Sequence, residues 1–126
     1  MPKPMTTEHK KAFLLLKWVI FSSYHGLDKD EKASLQKSAE ELNAQEEFEW
    51  VKRFAEEDEV HVFERARVFF KSTISTYDVD TKLSYLNTVW DATNQKGYIS
   101  EIEAMAILKL AKDWGVEKDL LNIVRK

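Results

Sequence analysis

The chain has no cysteine, only three glycines, and two prolines that both fall within the first four residues. Without cysteine there are no disulfides, no thiolate chemistry and no cysteine-based zinc sites, a usage compatible with a reducing compartment. With so little glycine and proline, the long periodic stretches run unbroken, which favours an all-helical fold. There is no basic excess: 19 Lys and Arg stand against 22 Asp and Glu, a formal net charge of −3. A nucleic-acid partner is therefore not expected, because such domains carry a basic face. Long apolar runs are also missing. Ala12 to Phe21 is the strongest, yet Lys17 interrupts it, and a membrane span needs roughly 20 apolar residues. The opening MPKPMTTEHKK has neither the apolar region nor the cleavage site of a secretory signal. The expected location is the cytoplasm, with residues 1–6 as a disordered lead.

What is present is enough for one folded unit. At 126 residues a single domain is the default, here over residues 7–126. Four Trp, four Tyr and seven Phe can fill a sizeable core.

Apolar periodicity predicts about seven helices. The first runs from Thr7 to Tyr24, apolar on nearly every side through Phe13, Leu14, Leu15, Leu16, Trp18, Val19, Ile20 and Phe21. Such a helix belongs at the centre of a bundle, and Gly26 is its expected stop. The second spans Lys29 to Leu42, with Leu35, Ala39 and Leu42 inside and Asp28 and Glu31 as a capping box. The third spans Gln45 to Glu56 with Phe48, Val51, Phe54 and Ala55 on its inner stripe. AEEDEVHVF contains no Gly or Pro, but Asp58 can cap a new start, so a fourth helix is expected from there. Its inner side is Val62, Ala66, Phe69, Phe70 and Thr73. The fifth covers Val79 to Asn94 behind the cap Asp78, buried through Val79, Leu83, Leu86, Val89 and Trp90. The sixth starts after Ser100 and ends near Trp114, with Ala104, Ile107, Leu108, Ala111 and Trp114 inside. A short seventh uses Leu120, Leu121 and Val124. The expected architecture is a single all-α bundle around the first and fifth helices.

Two stretches share one plan. In both WVIFSSYHGLDKDEKASL and LNTVWDATNQKGYISEIEAMAIL an apolar helix ends in glycine, and an aliphatic residue follows (Leu27, Ile99). A cap comes next (Asp28, Ser100), then Glu three positions on (Glu31, Glu103). The chain thus reads as two helix–loop–helix units separated by a helical pair.

The second loop resembles the back half of an EF-hand. That loop places oxygen ligands at positions 1, 3, 5, 7, 9 and 12, with Gly at 6 and a bidentate Glu at 12. Setting Gly97 at position 6 puts Glu103 at 12, but Ala92 at 1 and Lys96 at 5. One residue offers no ligand and the other repels a cation, while Asp91 stands one place out of register. A helix stop at Gly97 and a capping box of Ser100 and Glu103 account for the same letters.

These segments carry a family resemblance. QKGYISEIE, at Gly97, Ile99, Ser100 and Glu103, and more loosely YHGLDKDE, at Gly26, Leu27, Asp28 and Glu31, resemble the joining motif of TerB-like helical domains. That family is named after a bacterial tellurite-resistance protein, and its domain also occurs at the N-terminus of some membrane-bound J-domain co-chaperones. The resemblance extends over nearly the whole chain in helix order. It implies an all-α domain that acts as a protein-interaction module in a bacterial or phage-related stress response. It also implies, by itself, peripheral association with a membrane complex. Acidic residues of these segments have been proposed to form a metal-responsive site in the family. Here the acidic residue before each glycine is replaced by Lys96 and by His25. A remnant set of His25, Glu31, Asp91 and Glu103 would suit zinc or another transition metal better than calcium.

Other candidates carry less. His9, His25 and His61 form no H-x-x-x-H pair, and no nucleophile elbow or phosphate-binding glycine loop is present. No enzyme activity and no cofactor are expected. The acidic run of Glu56 to Glu59 reads as a solvated corner or as a docking point for a basic partner. The aromatic stretches KWVIFSSY and VFFK are assigned to the core rather than to a ligand pocket. Three functional readings follow: a non-enzymatic interaction module with an unidentified protein partner, a metal-binding regulatory domain using the two loops, and a small inhibitor or immunity-type protein with an acidic face.

Overall fold

The computed structural model describes residues 6–22, 27–94, 97 and 99–124. These residues form seven helices: α1 (Thr7–Phe21), α2 (Lys29–Glu41), α3 (Gln45–Glu57), α4 (Val62–Ile74), α5 (Val79–Asn94), α6 (Glu101–Asp113) and α7 (Glu117–Val124). No strand occurs among them. The lead assigned to residues 1–6 lies outside the described residues up to Met5. Thr6 is the N-cap of α1, its Oγ1 accepting from the His9 amide at 3.1 Å. Tyr24, His25 and Gly26, at the expected end of the first helix, also lie outside.

α1 is the central element. Ala12, Leu14, Leu15, Leu16, Val19 and Ile20 are essentially inaccessible to solvent, and α2, α3, α4, α5 and α6 all pack against it. An apolar sequence on every side is stable only where every side has a neighbour. The fifth helix is less central than expected. Of α5, only Leu86, Val89 and Thr93 are buried, and Val79 is 49% exposed because it stands in the first turn. A ladder of aromatic rings joins α3, α4 and α6: Trp50 to Phe69 at 5.1 Å, Phe69 to Phe70 at 6.0 Å, and Phe70 to Trp114 at 5.6 Å between centroids.

The helix ends follow local chemistry. Both expected capping boxes form. Asp28 accepts from the Glu31 amide at 2.8 Å while Glu31 accepts from the Asp28 amide at 3.1 Å. Ser100 and Glu103 repeat the pattern at 3.1 and 3.0 Å. Asp78 caps α5 by accepting from Thr81 at 2.7 Å. α6 ends in a Schellman motif: Val116 donates to Ala111 and Gly115 to Lys112, with Gly115 at φ +75°. α2 ends the same way, through Ala44 to Ala39 and Asn43 to Glu40, but Asn43 takes the left-handed position at φ +53°.

The break between the third and fourth helices falls at Asp58 as expected, but α4 starts four residues later. Asp58 is extended (φ −157°, ψ 87°). Its carboxylate holds the following turn by accepting from the His61 amide at 3.2 Å and lying 2.9 Å from His61 Nδ1. Arg65 closes the corner: its guanidinium lies over the Phe54 ring at 4.2 Å and donates to the Phe54 carbonyl at 2.8 Å. That satisfies one of the orphan carbonyls at the end of α3.

Candidate functional site

A concavity lies where α2 and α3 leave α1 partly uncovered. α2 and α3 are joined by a three-residue turn, Leu42 to Ala44, both pack on α1, and they form two walls over it. The space between them is a groove of about 630 Å³. Its floor is apolar: Trp18 of α1, Leu27 before α2, Leu35 of α2, Phe48 and Ala55 of α3, and Val62 at the start of α4. The Trp18 and Phe48 rings meet on this floor at 6.2 Å.

The rim is charged and asymmetric. Lys32 and Gln36 stand on the α2 wall, Lys52 and Glu56 on the α3 wall, and Glu59 in the link that follows α3. Lys52 is held by Glu49 at 3.5 Å and lies over Phe48 at 5.6 Å. Among the described residues Lys32, Glu56 and Glu59 have no ion-pair partner. The groove runs into the Glu56–Glu59 corner, where Val60 projects into solvent at 85% exposure.

The aromatic stretch KWVIFSSY was assigned to the core rather than to a ligand pocket, and Trp18, which lines the groove, departs from that. Helical periodicity reports which side a residue faces, not whether a neighbour covers it. VFFK divides too: Phe70 is buried, Phe69 is half-buried and Val68 is 72% exposed.

The four residues considered for a metal are placed as follows. His25 lies outside the described residues. Glu31 is the capping-box carboxylate of α2 and lines a smaller cleft of about 260 Å³ with Asp28, Asp30 and Ser34, against Phe21, Ala92 and Thr93. The start of α2 therefore faces the end of α5 across this cleft. Asp91 is exposed on α5, outside that lining. Glu103 is 1% exposed and is the capping-box carboxylate of α6. Among the described residues no group of three or more His, Asp or Glu side chains is placed to hold a metal ion.

Three polar residues, Lys17, Thr93 and Glu103, were not foreseen as buried. Lys17, which only interrupts the apolar run in the sequence, is 5% exposed in the seam between α1 and α2. Its ammonium donates to Ser38 Oγ at 2.7 Å and Ser34 Oγ at 3.3 Å. Burial lowers its pKa from the ordinary value of 10.5, with Glu41 acting in the opposite sense. The spacing of Ser34, Ser38 and Glu41 on one side of α2 was the signal that could have placed it.

Other displaced pKa values belong to residues that do not line the groove. Asp113 is lowered, and Arg67 raised, chiefly by the hydrogen bond between them. Asp58 is lowered first by its hydrogen bond to His61. Burial raises Tyr77 and Tyr85.

Comparison with protein-family models, curated proteins and solved structures finds no significant match to this chain. Among the described residues no helix is long and apolar enough to cross a membrane.

Proposed function

We propose that this chain is a non-enzymatic helical interaction module that receives a partner protein in the groove between α1, α2 and α3. The observation that carries this reading is the floor itself. Trp18 and Phe48 are large aromatic residues left partly open in one concavity, ringed by charged side chains. Aromatic anchors within a polar rim are the usual anatomy of a protein-binding patch. The groups with displaced pKa values, Lys17, Asp58, Arg67, Tyr77, Tyr85 and Asp113, do not line the groove. Catalytic centres usually gather such groups in their cleft, so their distribution favours binding over chemistry. The resemblance to TerB-like domains supplies the setting: an interaction step in a bacterial or phage-related stress response.

Site-specific photo-crosslinking in the source cell tests this. A crosslinker at Gln36, on the groove rim, should capture one dominant protein. A crosslinker at Lys118, on α7 away from the groove, should not. Equal capture from both positions, or capture that survives filling the groove by Phe48→Trp, would sink the reading.

A further inference from the structure

The groove's charges go further than the statement that it binds something. We infer that its occupant is an amphipathic helix of the partner, with basic residues on the flank facing α3 and an acidic residue on the flank facing α2. This rests on the groove being the binding site.

Three observations lead to it. First, the walls are two helices that both pack on a third, and the apolar residues lie between them. That is the geometry in which a helix lays one apolar stripe, read at i, i+3, i+4 and i+7, into a trough. Second, the trough is open to solvent along its rim. A small apolar ligand seeks a site that encloses 70–90% of its surface, whereas a helix needs only one side covered and keeps the other in water. Third, the charges differ between the walls. On the α3 side Lys52 is held by Glu49, which leaves Glu56 and Glu59 as the unpaired charges among the described lining residues. Glu56 lies in the last turn of α3 and Glu59 just beyond its end, while Glu57 and Asp58 between them are paired with Arg65 and His61. On the α2 side Lys32 is the unpaired charge among the described lining residues. Opposite signs on opposite walls fix which way round a charged helix lies, and charge complementarity of this kind sets orientation and association rate.

The experiment is a selection of displayed helical peptides against the full chain, with counter-selection against Gln36→Trp, which narrows the groove from an exposed rim position. Enriched peptides are then measured by fluorescence anisotropy against the native chain and against Glu56→Lys/Glu59→Lys. The expected result is an apolar stripe with Lys or Arg on one flank and Asp or Glu on the other. Binding should weaken about tenfold or more on the double reversal and steepen in its salt dependence for the native chain. Peptides bearing the opposite charge pattern should prefer the reversed chain. Sodium laurate is titrated in parallel as a small amphiphile.

Groove-directed peptides with no charge pattern, or no response to the double reversal, would overturn the inference and leave the groove as a binding site. So would laurate binding in the groove more tightly than any peptide. Selected peptides that bind Gln36→Trp as well as the native chain would overturn the groove reading itself. Circular dichroism of each variant confirms that the helices are intact, so that lost binding reports on the groove.

Discussion

The ammonium of Lys17 reaches the hydroxyl of Ser38 at 2.7 Å across the seam between the central helix and α2, where the lysine is almost wholly shielded from water. Two hydroxyls are weak compensation for a buried cation, since they offer dipoles rather than a contacting carboxylate. Lys17→Met keeps the length of the side chain and removes the charge. Ser34 and Ser38 can then bond carbonyls of their own helix. The variant should be more stable at pH 7 by about 1 kcal/mol. The pH dependence has a fixed sign. The folded pKa lies below the unfolded one, so the penalty is fully present below the folded pKa and fades as pH rises towards 10.5. Urea unfolding of both proteins should therefore converge with rising pH. Tyr77 and Tyr85 titrate with the opposite sign but are common to both chains. A gap that stays constant or widens up to pH 10.5 would contradict the account.

The wall formed by α2 is weakly held beside the central helix. It buries only Leu35 and Ala39, against eight residues of α1. Few buried apolar contacts mean local opening at low free energy. Native-state hydrogen exchange should show the amides of α2 exchanging at least about tenfold faster than those of α1. Equal protection in both helices would mean that the Lys17 hydrogen bonds lock the wall in place.

Asn43 occupies a left-handed position, φ +53°, that glycine adopts at less cost. Asn43→Gly should raise stability by about 0.5 kcal/mol and the Tm by a few degrees. Asn43→Val, with a β-branched side chain at positive φ, should lower both. Thermal melts of the pair decide it, and a loss on substitution by glycine would show that the asparagine side chain contributes something beyond the turn.

The two capping boxes make a joint prediction about stability and metal. Asp28→Ala and Ser100→Ala should each cost about 1 kcal/mol. The Ser100 variant should be the worse, because its partner Glu103 is buried. Both Glu31 and Glu103 already accept backbone amides. Calorimetric titration with calcium, zinc or magnesium at millimolar concentration should accordingly give no heat of binding and no shift in Tm. A stabilising shift that Glu31→Gln abolishes would restore the metal-binding alternative.

Arg67 of α4 grips Asp113 at the end of α6 with two bonds, Nε to Oδ2 at 2.7 Å and Nη2 to Oδ1 at 2.9 Å. Such paired, charge-assisted contacts exceed the usual surface ion pair. Asp113→Asn should cost about 1 kcal/mol at neutral pH. Since the carboxyl's folded pKa lies below its ordinary 3.8, this contribution is present above that value and is lost as pH falls through the folded pKa. The native chain and the variant should converge in acid. Divergence instead would mean that the pair is not what acid breaks.

The helix ends were legible in the chain because their causes are local. Asp28 with Glu31, Ser100 with Glu103, Asp78, and Gly115 each act on amides or carbonyls within a few residues. The apolar stripes were legible for the same reason, down to the burial of Leu35, Val51, Phe70, Leu86, Ile107 and Leu120. The exact start of α4 was not, since Asp58 caps a turn that could equally have been the first turn of a helix. Glu31 and Glu103 could be assigned a cap or a ligand from their spacing alone; only coordinates show both carboxylates meeting the backbone.

Sequence alone therefore settled the helical class, the number of helices and most of their boundaries, because those depend on interactions three to five residues apart. Tertiary structure decided which apolar residues stay partly open and which charge goes inside. Trp18 and Phe48 are 30 residues apart in the chain and share a floor only because α2 and α3 settle on α1 as two separated walls. Lys17 is buried only because α2 presents Ser34 and Ser38 above it. Exposure is a property of the neighbours, and the neighbours are set by packing over the whole chain.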